Sequence, residues 1–139
     1  MSVIRLKDER GTSAVEFAII APVFLFLIVS MLAYGIYFGA AHTVQQAAAN
    51  AARASVAGLD EKERSELATA SVLASASHDT LLKSDHVKIE LVSDPDRPDV
   101  YLVTVVYDAS HLPIWDLGPP IPLPSATIRR SSTIRIGGV

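Results

Sequence analysis

From Phe17 through Ala41 the chain carries no formal charge, and Phe17 to Phe38 is an almost unbroken run of Ile, Val, Leu, Phe and Ala. A helix rises about 1.5 Å per residue, so this run covers the roughly 30 Å hydrocarbon layer of a bilayer with a little to spare. The pattern predicts one membrane-spanning helix, bounded at residues 12–41. From Gly39 to Ala57 the composition shifts to alanine with Gln45, Gln46, Asn50 and Arg53, which favours helix but is too polar for lipid. The helix is expected to continue outward. Gly58 is placed to end it. Asp60 and Glu63 form an approximate capping box that opens a second helix through about Ser77, with Leu67, Ala70, Ala74 and Leu81 sharing a face.

Beyond Ser84 the period changes to two. Val87, Ile89 and Leu91 alternate with His86, Lys88 and Glu90, as in a half-exposed strand. Asp94-Pro95-Asp96-Arg97-Pro98 is a turn signal, and Val100 to Tyr107 is apolar on both faces, which fits a central strand. A last strand, about Ala126 to Ile136, turns Ile128, Ile134 and Ile136 inward and Arg129 and Arg135 outward. The expected fold class is therefore α+β: a long N-terminal transmembrane helix that extends outward, a second helix, and a small three-stranded antiparallel sheet. Between the last two strands, Leu112 to Pro124 holds too much proline for helix or inner strand. This loop, with the sole tryptophan, is expected to fold back over the sheet. Its other use is as an interface, with Trp115 and Leu117 as anchors for another subunit.

Composition narrows the function. A formal net charge of −3 provides no broad basic field for nucleic acid. The absence of cysteine excludes disulfides, thiolate metal sites and sulfur nucleophiles. His42, His78, His86 and His111 show no metal-ligand spacing, and no nucleophile elbow or phosphate-cradling loop occurs. The reading is of a protein that is not an enzyme and takes no metal or other cofactor.

Arg5, Lys7 and Arg10 precede the apolar run, and the first basic residue after it is Arg53, so the N-terminus is expected in the cytoplasm. The run is longer than a secretory signal's and has no clear A-x-A exit at its far end. Tyr34, Tyr37 and Phe38 stand near its outer end, where aromatic rings favour the lipid boundary; the alternative is that they pack against neighbours. Pro22 lies inside the run, and Gly35 and Gly39 have a G-x-x-x-G spacing that permits close helix approach. Glu16 stands directly before the run, where an ionised side chain drawn toward mid-bilayer costs about 2.5 kcal/mol or more. One account makes it the reach-back partner of an N-capping Ser13 in the first helical turn.

The other account takes the block Arg10-Gly11-Thr12-Ser13-Ala14-Val15-Glu16-Phe17-Ala18 as a whole. Placed ahead of a spanning helix, it resembles the processing signal of type IV pilin-like proteins, and most closely the TadE-like minor pilins (pseudopilins) of the tight-adherence (Flp, type IVb) pilus. The resemblance implies a leader of residues 1–11, cut after Gly11 by a prepilin peptidase so that Thr12 becomes the N-terminus. It further implies that Glu16, followed by Phe17, pairs with a freed α-amine when helices bundle. Glycine at position 11 leaves room for an extended backbone in a protease cleft. The implied protein sits in the bacterial inner membrane with residues 42–139 as an extracytoplasmic α+β domain. Its implied partners are the peptidase, the major Flp pilin and other minor pilins, the inner-membrane assembly platform and the lipid bilayer. The alternative is an uncleaved, single-pass anchor for an extracytoplasmic binding domain.

Overall fold

The computed structural model of the protein describes residues 9–137. Arg5, Lys7 and most of the expected leader lie outside the described residues. One helix, α1 (Glu9–Ser55), dominates the molecule and runs through Pro22 without ending. A second helix, α2 (Glu61–Ser77), returns beside it. Three strands follow: β1 (Val87–Asp94), β2 (Arg97–Asp108) and β3 (Thr127–Arg135), in antiparallel order β1-β2-β3. The expected α+β arrangement is the one observed. Strand β2 is central, as its two-sided apolar pattern requires.

The register accounts for the core. Val87 pairs with Tyr107, Ile89 with Val105 and Leu91 with Val103, and on the other side Tyr107 pairs with Ile128 and Tyr101 with Ile134. Because strand side chains alternate, all of these share one face. That face meets the outer half of α1, where Ala33, Tyr37, Ala40, Ala41, Val44, Ala47, Ala48, Ala51 and Ala52 are buried. The small alanine side chains bring the α1 backbone close to α2 and to the sheet. The opposite face of the sheet carries Lys88, Glu90, Leu102, Arg129 and Arg135, with Arg129 donating to Glu90 at 3.0 Å.

Three local expectations are corrected. The buried stripe of α2 is Ala68, Val72 and Ala76, whereas Ala70 and Ala74 face outward; the helix turns its closest-packing stripe, not its bulkiest one, to the alanines of α1. Ser13 lies inside α1, four residues past its first described residue, so it does not occupy the N-cap position. Gly58 follows the helix end but not through a left-handed turn, since positive φ occurs only at Gly118 and Gly137 among the described glycines. Its role is spatial: an added Cβ would lie 2.6 Å from the Arg64 backbone nitrogen. The predicted cap of α2 does form. The Asp60 carboxylate accepts from the Glu63 amide at 2.8 Å, and Glu63 accepts from the Leu59 amide at 2.7 Å.

Candidate functional site

The two halves of α1 have opposite surroundings. Gly11 through Ile20 are exposed, and so are Val23, Phe24, Leu25, Phe26 and Leu27, while from Ala33 outward the helix is clasped by the domain. A continuous bare apolar band on one helix is far larger than the scattered surface hydrophobics of soluble proteins and marks a surface that meets lipid or other apolar helices. By length and composition α1 qualifies as a membrane-crossing helix.

Glu16 and Phe17 stand on this bare half, both exposed. Among the described residues Glu16 has no ion-pair partner; the five ion pairs all lie in α2, the sheet and its edges. Gly11 and Thr12 are already helical. The extended backbone envisaged for Gly11 is therefore absent from this conformation, because a helix this long absorbs one glycine at a cost of about 1 kcal/mol. Pro22 is exposed and cannot donate to the Ala18 carbonyl, one turn back.

Gly35 and Gly39 part company. A Cβ on Gly35 would meet nothing within 4 Å, whereas one on Gly39 would lie 3.3 Å from the Leu81 side chain. Gly39 is thus used within the chain, and only Gly35 keeps an open approach. The aromatic trio is divided as well. Tyr34 donates its hydroxyl to the Pro122 carbonyl, buried Tyr37 donates to the Ser125 carbonyl at 3.2 Å, and Phe38 stays exposed. Tyr34 and Tyr37 are staples for the proline-rich loop, so for these two the structure shows the packing alternative.

The loop covers the core as expected. Leu112 and Ile114 are buried, and Trp115 packs against the same cluster with its indole N–H donating to the Ala109 carbonyl at 2.8 Å. Leu117 remains exposed. Of the two named anchors, Trp115 is half-buried and Leu117 exposed.

One cluster escaped sequence reasoning. The His86 and His111 rings stack at 4.5 Å, and the Tyr107 hydroxyl lies 2.9 Å from His111 Nε2 while donating to the Leu81 carbonyl. Burial, then the charge of His86, lowers the pKa of His111 below the ordinary value. The Ser110 hydroxyl and amide, ahead of the two imidazoles, hold Asp108 below the usual carboxylate range. The cluster braces the start of the loop against the end of the sheet. Nothing in the four scattered histidines signals it, since the contact depends on how far the loop folds back.

A bare apolar helix with the Glu16 carboxylate near its N-terminal end, carrying a small α+β head on its C-terminal half, is consistent with a single-pass membrane anchor. Residues 11–53 match the family model described as TadE-like protein, the segment that carries the sequence resemblance. That family is one of tight-adherence pilus-associated proteins with an N-terminal apolar helix. No curated protein and no solved structure matches the chain.

Proposed function

We propose that the chain is a minor pilin or pseudopilin that takes part in assembling or priming a tight-adherence pilus. It is held in the bacterial inner membrane by the bare half of α1, with its N-terminus in the cytoplasm and its α+β head outside. A prepilin peptidase removes residues 1–11, and the major Flp pilin, other minor pilins and the assembly platform are its partners. The observation that carries this reading is Glu16: an exposed carboxylate on a bare apolar helix, inside the segment that matches the family. In a bundle of such helices the α-amine of Thr12 offsets it, and a paired ion at a packed interface fixes register, since a subunit docked one step out leaves the charge unpaired. The role is positional, and no catalysis is assigned.

A second reading, an uncleaved anchor for an extracytoplasmic binding domain, is favoured by one observation: α1 runs unbroken through Gly11 and Thr12, so cleavage requires the first turns to unwind. Mass spectrometry of the chain coexpressed with a prepilin peptidase separates the two. Loss of Met1 to Gly11, slowed in Gly11→Ala and more so in Gly11→Val, is the expected result. An intact N-terminus under those conditions establishes the plain anchor instead.

A further inference from the structure

The tip of the proline-rich loop does not stay with the sheet. Pro120 and Ile121 come down against α1 and, with Phe26, Leu27, Ser30, Met31 and Tyr34, line a groove of about 440 Å³. The polar groups of that lining are already engaged: Ser30 donates its hydroxyl to the Phe26 carbonyl at 2.8 Å, and Tyr34 donates to the Pro122 carbonyl. Leu117 and Ile121 are each 43% exposed, and no charged side chain occurs between Asp116 and Arg129.

Length places this tip relative to a bilayer. A hydrocarbon layer of roughly 30 Å that begins at Phe17 is crossed in about 20 helical residues and so reaches the neighbourhood of Tyr37. The residues beside the loop tip, Phe26 to Tyr34, fall inside that span. Irregular backbone at such a depth is costly because unsatisfied N–H and C=O groups have no water to bond. This segment is chemically suited to the position. Pro119, Pro120, Pro122 and Pro124 have no N–H, so half of the residues from Leu117 to Pro124 lack a donor, and the Pro122 carbonyl is satisfied by Tyr34.

From this we infer that the loop Leu117–Pro124 is a second membrane contact, entering the outer leaflet of the bilayer beside α1, with Leu117 and Ile121 among the lipid chains. The inference rests on the membrane reading of α1. The occupant of the groove is lipid because the groove is continuous with the bare band of α1 and shares its depth. Two attachment points restrain the tilt and rotation of the head in a way that one helix does not. Interfacial apolar side chains of this kind add affinity in proportion to the area they bury.

The chain contains no cysteine, so a single reporter is available at any site. Full-length chain with Ile121→Cys, labelled with an environment-sensitive fluorophore, is reconstituted in phosphatidylethanolamine–phosphatidylglycerol vesicles with or without spin-labelled lipid. Leu25→Cys on α1 and Lys62→Cys on α2 are the references. The expected result is lipid quenching at position 121 at least about twofold stronger than at position 62, with blue-shifted emission and weaker quenching by iodide. Quenching at position 25 but not at 121, whether because water or a second copy of the chain covers the tip, overturns the loop contact and leaves the membrane helix standing. Absence of lipid quenching at both 25 and 121 overturns both.

Discussion

At the scale of single residues, Gly35 on α1 and Gly58 just past its end differ in the space an added Cβ would find. Gly58 sits where the chain leaves α1, and a Cβ there would lie 2.6 Å from the Arg64 backbone nitrogen and 2.9 Å from its Cα. Backbone atoms at a helix start cannot give way as the tip of a flexible side chain can. That start is fixed from other sides, since the Arg64 guanidinium reaches the Tyr101 hydroxyl at 3.2 Å and its carbon lies 5.1 Å from the Tyr101 ring centre. Gly58→Ala is therefore expected to destabilise the head by about 1–3 kcal/mol, the usual cost of forcing an added carbon into a packed site. Gly35→Ala, with nothing within 4 Å of its Cβ, exchanges a poor helix former for the best one and is expected to be neutral or stabilising by up to about 1 kcal/mol. Urea midpoints of the detergent-held chain compare the two. A Gly58→Ala midpoint equal to that of Gly35→Ala contradicts the steric account.

At the scale of elements, the sequence resolves what depends on local pattern and misses what depends on facing surfaces. The strand period from Val87, the turn at Asp94 to Pro98 and the cap at Asp60 are local, and each is present. The inward stripe of α2 is not local. By size alone Leu67, Ala70 and Ala74 make a plausible face, but the partner surface on α1 is built of alanine, so the match goes to Ala68, Val72 and Ala76, spaced one turn apart. The signal for that partner surface was in the sequence: Ala40, Val44, Ala47, Ala48 and Ala51 recur at helical spacing. The site divides in the same way. Glu16 was legible because a carboxylate at the mouth of an apolar run is anomalous in any fold, whereas the stapling of Tyr34 and Tyr37 to a loop 88 residues away was not. The two stripes of α2 make opposite predictions. Ala68→Leu wedges α2 off α1 and is expected to cost about 1–3 kcal/mol, while Ala70→Leu on the open side stays within about 0.5 kcal/mol of the parent. Thermal or urea unfolding followed by circular dichroism measures both, and the reverse order of effects would restore the rejected face.

At the scale of the whole molecule, a single helix joins two environments, and the charge balance of its inner half has to be completed from outside the folded head. One face of the outer half is engaged by α2, the sheet and the loop. The inner half presents Phe17, Phe24 and Leu25 exposed, and among the described residues Glu16 stands near them without an ion-pair partner. On the proposed reading, lipid satisfies the apolar side chains of a lone subunit, and the cytoplasmic boundary tolerates the carboxylate there. In the assembly proposed, subunits that draw their helices together and lift them carry the carboxylate into the layer, where it costs about 2.5 kcal/mol or more unless a cation meets it. On the proposed reading that cation is the α-amine exposed when the leader is removed, so the charge is needed for assembly and not for insertion. Glu16→Gln keeps the shape and hydrogen-bonding capacity but removes the charge. It is expected to insert into membranes and lose its leader at the parental rate, while pilus formation falls because misregistered docking is no longer penalised. Membrane fractionation, mass spectrometry of the N-terminus and sheared-fibre yield read the three steps separately. Fibre yield unchanged from the parent removes the pairing role of Glu16, and a loss of insertion or cleavage in the same variant assigns the carboxylate to an earlier step than assembly.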